Sequence, residues 1–80
     1  MTAEEKRICA GFEIIEAISI EKNTEIVLGK KEHGAFGTEY VTWFCRDKTD
    51  YCHGHYLCDY HAAKVDLLKR ALFELGVYEL

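Results

Sequence analysis

Two thiols and three imidazoles fall within eleven residues, "YCHGHYLCDYH" (51–61), and Cys9, His33 and Cys45 complete the set upstream. Thiolate and neutral imidazole are the ordinary ligands of zinc, and four of them close a tetrahedral structural site. The set nearest in sequence, Cys45, Cys52, Cys58 and His61, fails on distance if residues 52–58 form a strand. Six strand residues span about 20 Å at roughly 3.3 Å each, too far for one ion with bonds of about 2.0–2.3 Å. Catalysis has less support still. The chain lacks both H-x-E followed by P-C-x-x-C and H-E-x-x-H. Nothing marks the base and oxyanion donor that a Cys–His nucleophile needs, and a closed four-ligand site leaves no position for water. A metallohydrolase would need that open position, so the expectation is a non-enzyme with a structural metal.

The elements decide which of these residues can meet. Thr2 and Glu5 in "TAEEKRI" (2–8) have capping-box spacing and predict a short N-terminal helical turn. "FEIIEAISI" (12–20), whose imperfect alternation leaves room for a bulge, and "TEIVLGKKE" (24–32) read as strands joined through "EKN". After the loop "HGAFGT" (33–38), "EYVTWFCR" (39–46) is the strongest strand signal, with "DKTD" (47–50) as turn and "YCHGHYLC" (51–58) as returning strand. Asp59 is a natural N-cap for a helix on which Val65, Leu68, Leu72 and Leu75 recur, and Gly76 suits its C′ position. The predicted fold is α+β: a four-stranded antiparallel meander with one C-terminal helix packed on one face, ββββα.

With "DKTD" as the turn, Arg46 pairs with Tyr51 and Cys45 with Cys52. Alternation puts Val41, Trp43, Cys45, Cys52, Gly54, Tyr56 and Cys58 on the more apolar face, which is expected to meet the helix. Thr42, Phe44, Arg46, Tyr51, His53, His55 and Leu57 take the other face. In such a meander the segment before the first strand and the ends of the second and fourth strands share one rim. Cys9, His33, Cys58 and His61 are therefore expected to converge there as a Cys2His2 zinc site. Cys58 and His61 stand in C-x2-H spacing across a helix start, whose N-terminus favours a thiolate. The metal would tie the N-terminal segment, the 33–38 loop and the helix together. Cys9, Cys45 and Cys52 read equally well as small buried hydrophobes, and the pair 45/52 leaves a disulfide or metal binding open. Gly54 is read as room for the helix or Trp43 to approach the backbone.

Eighty residues, 49% hydrophobic, make a single domain over 1–80 of a size that often gains from a metal, a disulfide or a partner. The net charge is −4 and is spread along the chain, with seven acids against five bases in residues 1–32 and four against three in 59–80. With no basic stripe to hold phosphates, direct nucleic-acid binding is not expected and protein partners are. The N-terminus lacks a signal-peptide pattern and no apolar run approaches about 18 residues, so a soluble, cytoplasmic protein with reduced thiols is expected.

At "EYVTWFC" (39–45) and "GHYLCDYHAAKVDLLKRA" (54–71) the sequence resembles small acidic proteins of phages and mobile elements of Gram-positive bacteria. Their shared look is a "YVTW" strand, a "GHY" strand and a capped amphipathic helix. Some proteins of this kind are anti-CRISPR inhibitors, including metal-containing ones that act on type II Cas nucleases. The resemblance implies a non-enzymatic inhibitor in the host bacterial cytoplasm that docks on a basic lobe and obstructs DNA loading or cleavage. Phe36, Tyr40, Phe44, Tyr51, His53, His55 and Tyr78 are the candidate anchors on outer face and loops. No motif of that class maps residue by residue onto this chain. The alternative is a zinc-stabilised accessory or adaptor protein with no CRISPR role.

Overall fold

Runs of isoleucine, valine and aromatic residues build the strands, and short polar or glycine-containing segments turn the chain between them. The computed structural model describes residues 6–35 and 37–76. Its elements are β1 (Ile8–Cys9), β2 (Phe12–Glu21), β3 (Thr24–Gly34), β4 (Gly37–Arg46), β5 (Asp50–Leu57) and α1 (Tyr60–Glu74). The strands form one antiparallel sheet in chain order, β1-β2-β3-β4-β5. The α+β meander with a C-terminal helix is as expected; the sheet has five strands rather than four. The extra strand is β1, in which Ile8 pairs with Glu13 and Cys9 with Phe12. It occupies the end of the segment expected to be helical, while Thr2 and Glu5 lie outside the described residues. The bulge expected in β2 is present, with register shifts between Ile14 and Glu16 and between Ser19 and Glu21.

Both faces of the sheet are apolar, and each has its own core. On one face Phe12, Val27, Val41, Trp43 and Cys45 are buried, with Cys9, Ile14 and Tyr51 packed against them. On the other, Ile26 and Leu28 meet Ala63, Leu67 and Ala71 of α1, flanked by Ile18, Ile20, Tyr40, Phe44 and Leu57. The helix thus covers the face of Tyr40 and Phe44, opposite to expectation.

The Trp43 face needs no helix because the sheet curls over it. Arg7, beside β1 at one edge, donates from Nε to Tyr51 Oη on β5 at the other edge, at 3.2 Å. In a flat sheet, four strand intervals of about 4.8 Å would hold those edges roughly 19 Å apart. The Phe12 and Tyr56 rings approach to 6.1 Å, Phe12 meets Trp43 edge-on at 5.7 Å, and Trp43 meets Tyr51 at 5.4 Å. Gly54 makes this possible: a Cβ there would stand 2.8 Å from Trp43 Nε1, so the reading that reserved its space for Trp43 holds.

The β4–β5 register differs by one residue from the expected pairing. Asp50 belongs to β5, so Arg46 pairs with Asp50, Cys45 with Tyr51 and Phe44 with Cys52. Asp47 (φ 55°) and Lys48 (φ 61°) take left-handed conformations that tighten the turn to three residues. One residue of slip exchanges faces, moving Tyr51 to the Trp43 side and Cys52 to the Phe44 side. A bulge at His53 (φ 55°) and Gly54 then restores the alternation, so Thr42 pairs with His55 and Val41 with Tyr56.

The ends of α1 follow the sequence, and its rotation does not. Asp59 is extended and accepts from the Ala62 N–H at 2.8 Å, while Gly76 (φ 80°) follows the C-terminal residue Leu75. The residues against the sheet, however, are Ala63, Leu67 and Ala71; Val65, Leu68, Leu72 and Leu75 are exposed. Polar contacts flank this rotation on both sides. Lys64 binds Glu16 of β2 on one side, and Asp66 meets His55 of β5 on the other.

Candidate functional site

The pairings Cys9–Phe12, Gly34–Gly37 and Tyr40–Leu57 put Cys9, His33 and the Cys58–His61 segment along one rim. Their side chains separate from there. Cys9 packs on the Trp43 side of the sheet, whereas His61 is an exposed residue of α1 on the other side. His33 (φ 62°) and Cys58 are exposed. Among the described residues no group of three or more His, Cys, Asp or Glu side chains is arranged to hold a metal ion. The donor types suit zinc, but gathering these four would require the rim to rearrange.

All four cysteines are free thiols. Cys45 and Cys52 do not face each other, since Cys45 pairs with Tyr51 and Cys52 Sγ lies 3.6 Å from the Phe44 carbonyl oxygen. Burial pushes the Cys45 thiol up, against the pull of Arg7, whose Nη2 stands 3.4 Å from the sulfur. Arg7 Nη2 also donates to Glu25 Oε1 at 3.0 Å, and Lys48 Nζ reaches Glu25 Oε2 at 3.2 Å. This network holds a buried carboxylate between two cations and closes the curled core.

The expected partner-binding residues divide by environment. Phe36 and Tyr78 lie outside the described residues. Tyr40 and Phe44 are half-buried against the helix-side core, and Tyr51 is half-buried in the curl, where its hydroxyl donates to the Lys48 carbonyl at 3.2 Å. His53 and His55 are exposed on β5. His55 Nδ1 stands 2.9 Å from Asp66 Oδ2, which also accepts from Thr42 Oγ1 at 2.5 Å. Arg70 Nη1 donates to both the carbonyl and the hydroxyl of Thr42 at 3.0 Å. Burial draws the Arg70 pKa down, with Asp66 opposing it.

This Thr42–His55–Asp66–Arg70 cluster escaped sequence reasoning, although Asp66 and Arg70 at i and i+4 mark one helix face. Also unforeseen is a shallow groove lined by Thr38, Glu39, Tyr40, Tyr56, Leu57 and Cys58. Tyr56 is 65% exposed beside it, and Tyr60 packs on Tyr40 at 6.0 Å. Among the described residues no helix is long and apolar enough to cross a membrane. No family model, curated protein or solved structure matches the chain.

Proposed function

We propose that the chain is a non-enzymatic protein-binding module that docks through the β5 edge of its sheet. The observation that supports this reading is a run of four exposed residues, His53–Tyr56, on an edge strand, ending in the 65% exposed Tyr56. The outer side of an edge strand offers backbone donors and acceptors, and a tyrosine provides apolar area with a polar tip. Asp66 holds the His55 ring in place, which reduces the entropy lost when a partner covers it. The bulge at His53 and Gly54 interrupts the edge and disfavours open-ended sheet growth.

The resemblance to phage anti-CRISPR proteins supplies the partner: a type II Cas nuclease whose nucleic-acid channels are basic, met by a chain of net charge −4. The expected outcome is a defined complex and reduced DNA cleavage. Combining Tyr56→Ala with His53→Ala should weaken binding about tenfold or more and restore cleavage. Full inhibition by that variant would overturn the β5 assignment. Unimpaired cleavage at saturating protein, across several type II nucleases, would remove the CRISPR role and leave the accessory-protein reading. Zinc on Cys9, His33, Cys58 and His61 is a separate proposal resting on donor chemistry. Elemental analysis should give about one zinc per chain, and Cys58→Ser or His61→Ala should lower both occupancy and Tm; an equally stable metal-free protein would refute it.

A further inference from the structure

We infer that a second copy of this chain covers the outer stripe of α1, with the two helices antiparallel about a two-fold axis midway between Leu68 and Leu72. This surface is distinct from the β5 edge. His61, Val65, Leu68, Leu72 and Leu75 recur at intervals of four, three, four and three residues, the seam spacing of paired helices. The helix does not use this stripe to reach its own sheet, since Ala63, Leu67 and Ala71 do that. Val65, Leu68, Leu72 and Leu75 are instead 37%, 43%, 40% and 50% exposed.

The spacing also specifies the occupant. Run in opposite directions about the point midway between Leu68 and Leu72, the stripe matches itself: Leu68 meets Leu72 of the second copy, and Val65 meets Leu75. A two-fold interface requires this self-complementarity. Four partly exposed aliphatic side chains make an apolar patch on the order of a few hundred Å² per chain. Two such patches with their flanking residues approach about 1,000 Å² in total, the size at which specific interfaces begin. The charge at the seam sets the strength. Lys64 is already paired with Glu16, whereas Lys69 has no ion-pair partner among the described residues and falls near its counterpart across the axis. Association should therefore be modest and should strengthen as salt screens this repulsion. The Asp66–His55 contact places β5 on the flank of α1 opposite the Lys64–Glu16 pair, so both β5 edges stay open in the dimer.

Sedimentation equilibrium of the full chain across the micromolar to millimolar range tests this. A monomer–dimer equilibrium is expected for the wild type, and Leu68→Lys should weaken it about tenfold or more while leaving the circular dichroism spectrum unchanged. Under oxidising conditions an equimolar mixture of Leu68→Cys and Leu72→Cys chains should form a disulfide-linked dimer that the wild-type control lacks and that neither variant forms efficiently alone. Efficient linking of each variant to itself would mean parallel helices and overturn the antiparallel axis. A wild type that stays monomeric throughout, or a folded Leu68→Lys variant that dimerises undiminished, would overturn the dimer. Tyr56→Ala should leave the measured mass unchanged, so loss of self-association and loss of nuclease binding separate cleanly.

Discussion

The aromatic face of the sheet closes on itself, while the aliphatic face needs a helix. On the first, Phe12, Trp43, Tyr51 and Tyr56 reach across strands, and Arg7 joins the two edges. On the second, Ile26 and Leu28 are too short to bridge the sheet and are covered by Ala63, Leu67 and Ala71. Large side chains permit closure by curvature, which then depends on polar ties to hold the edges. Mid-sized ones call for another layer, and small residues on that layer let it sit close.

The sharpest test of this contrast is Trp43→Ala, which should cost about 3–5 kcal/mol in urea unfolding because the curled core has no second layer to collapse into its place. Leu67→Ala on the helix side belongs to the same range, about 2–5 kcal/mol, and should fall below Trp43→Ala. The reverse order would mean that the helix, and not the curl, carries the fold. Next is Gly54→Ala, which forces a methyl towards Trp43 Nε1 and should cost about 1–3 kcal/mol with a blue- or red-shifted indole emission. Arg7→Met keeps the stem but leaves Glu25 with Lys48 alone, for a loss of about 1–2 kcal/mol.

The smallest effect is on the helix side. Burial alone would raise the Glu16 carboxyl, but hydrogen bonds from Lys64 and Tyr60 outweigh it and hold the group below its ordinary value. A lowered carboxylate adds stability above its unfolded pKa of about 4.3 and loses it as pH falls through the folded value. Glu16→Gln should therefore lower Tm slightly at neutrality, and the difference from the wild type should shrink as the pH falls below about 4, which flattens the acid side of the Tm-against-pH curve.

The strand segments, the β2 bulge, the Asp59 cap and the Gly76 stop were legible because each rests on local chemistry. The β4–β5 register was not. It depends on left-handed Asp47 and Lys48, conformations that their residue types permit without announcing. The covered face was misread because Val41, Trp43 and Cys45 look like the side that must be hidden, and they are hidden, by curvature rather than by α1. The helix stripe misled for a related reason: pattern reasoning buries the larger apolar residues, whereas the contact with the sheet is made mainly by alanines. Of the candidate site, exposure of His53 and His55 was read from alternation although the register behind it changed. The His55–Asp66 contact needed the helix rotation, which only tertiary packing sets.

Strand order equal to chain order has a kinetic consequence. Each of β1 to β4 pairs with the strand next along the chain, so most of the sheet can zip by closing short loops. The Arg7–Tyr51 contact, by contrast, joins residues 44 positions apart. Such a tie should form after the rate-limiting step, so Arg7→Met should leave the stopped-flow refolding rate nearly unchanged and speed unfolding. Arg7 would then govern how long the folded state lasts, and not how fast it is reached.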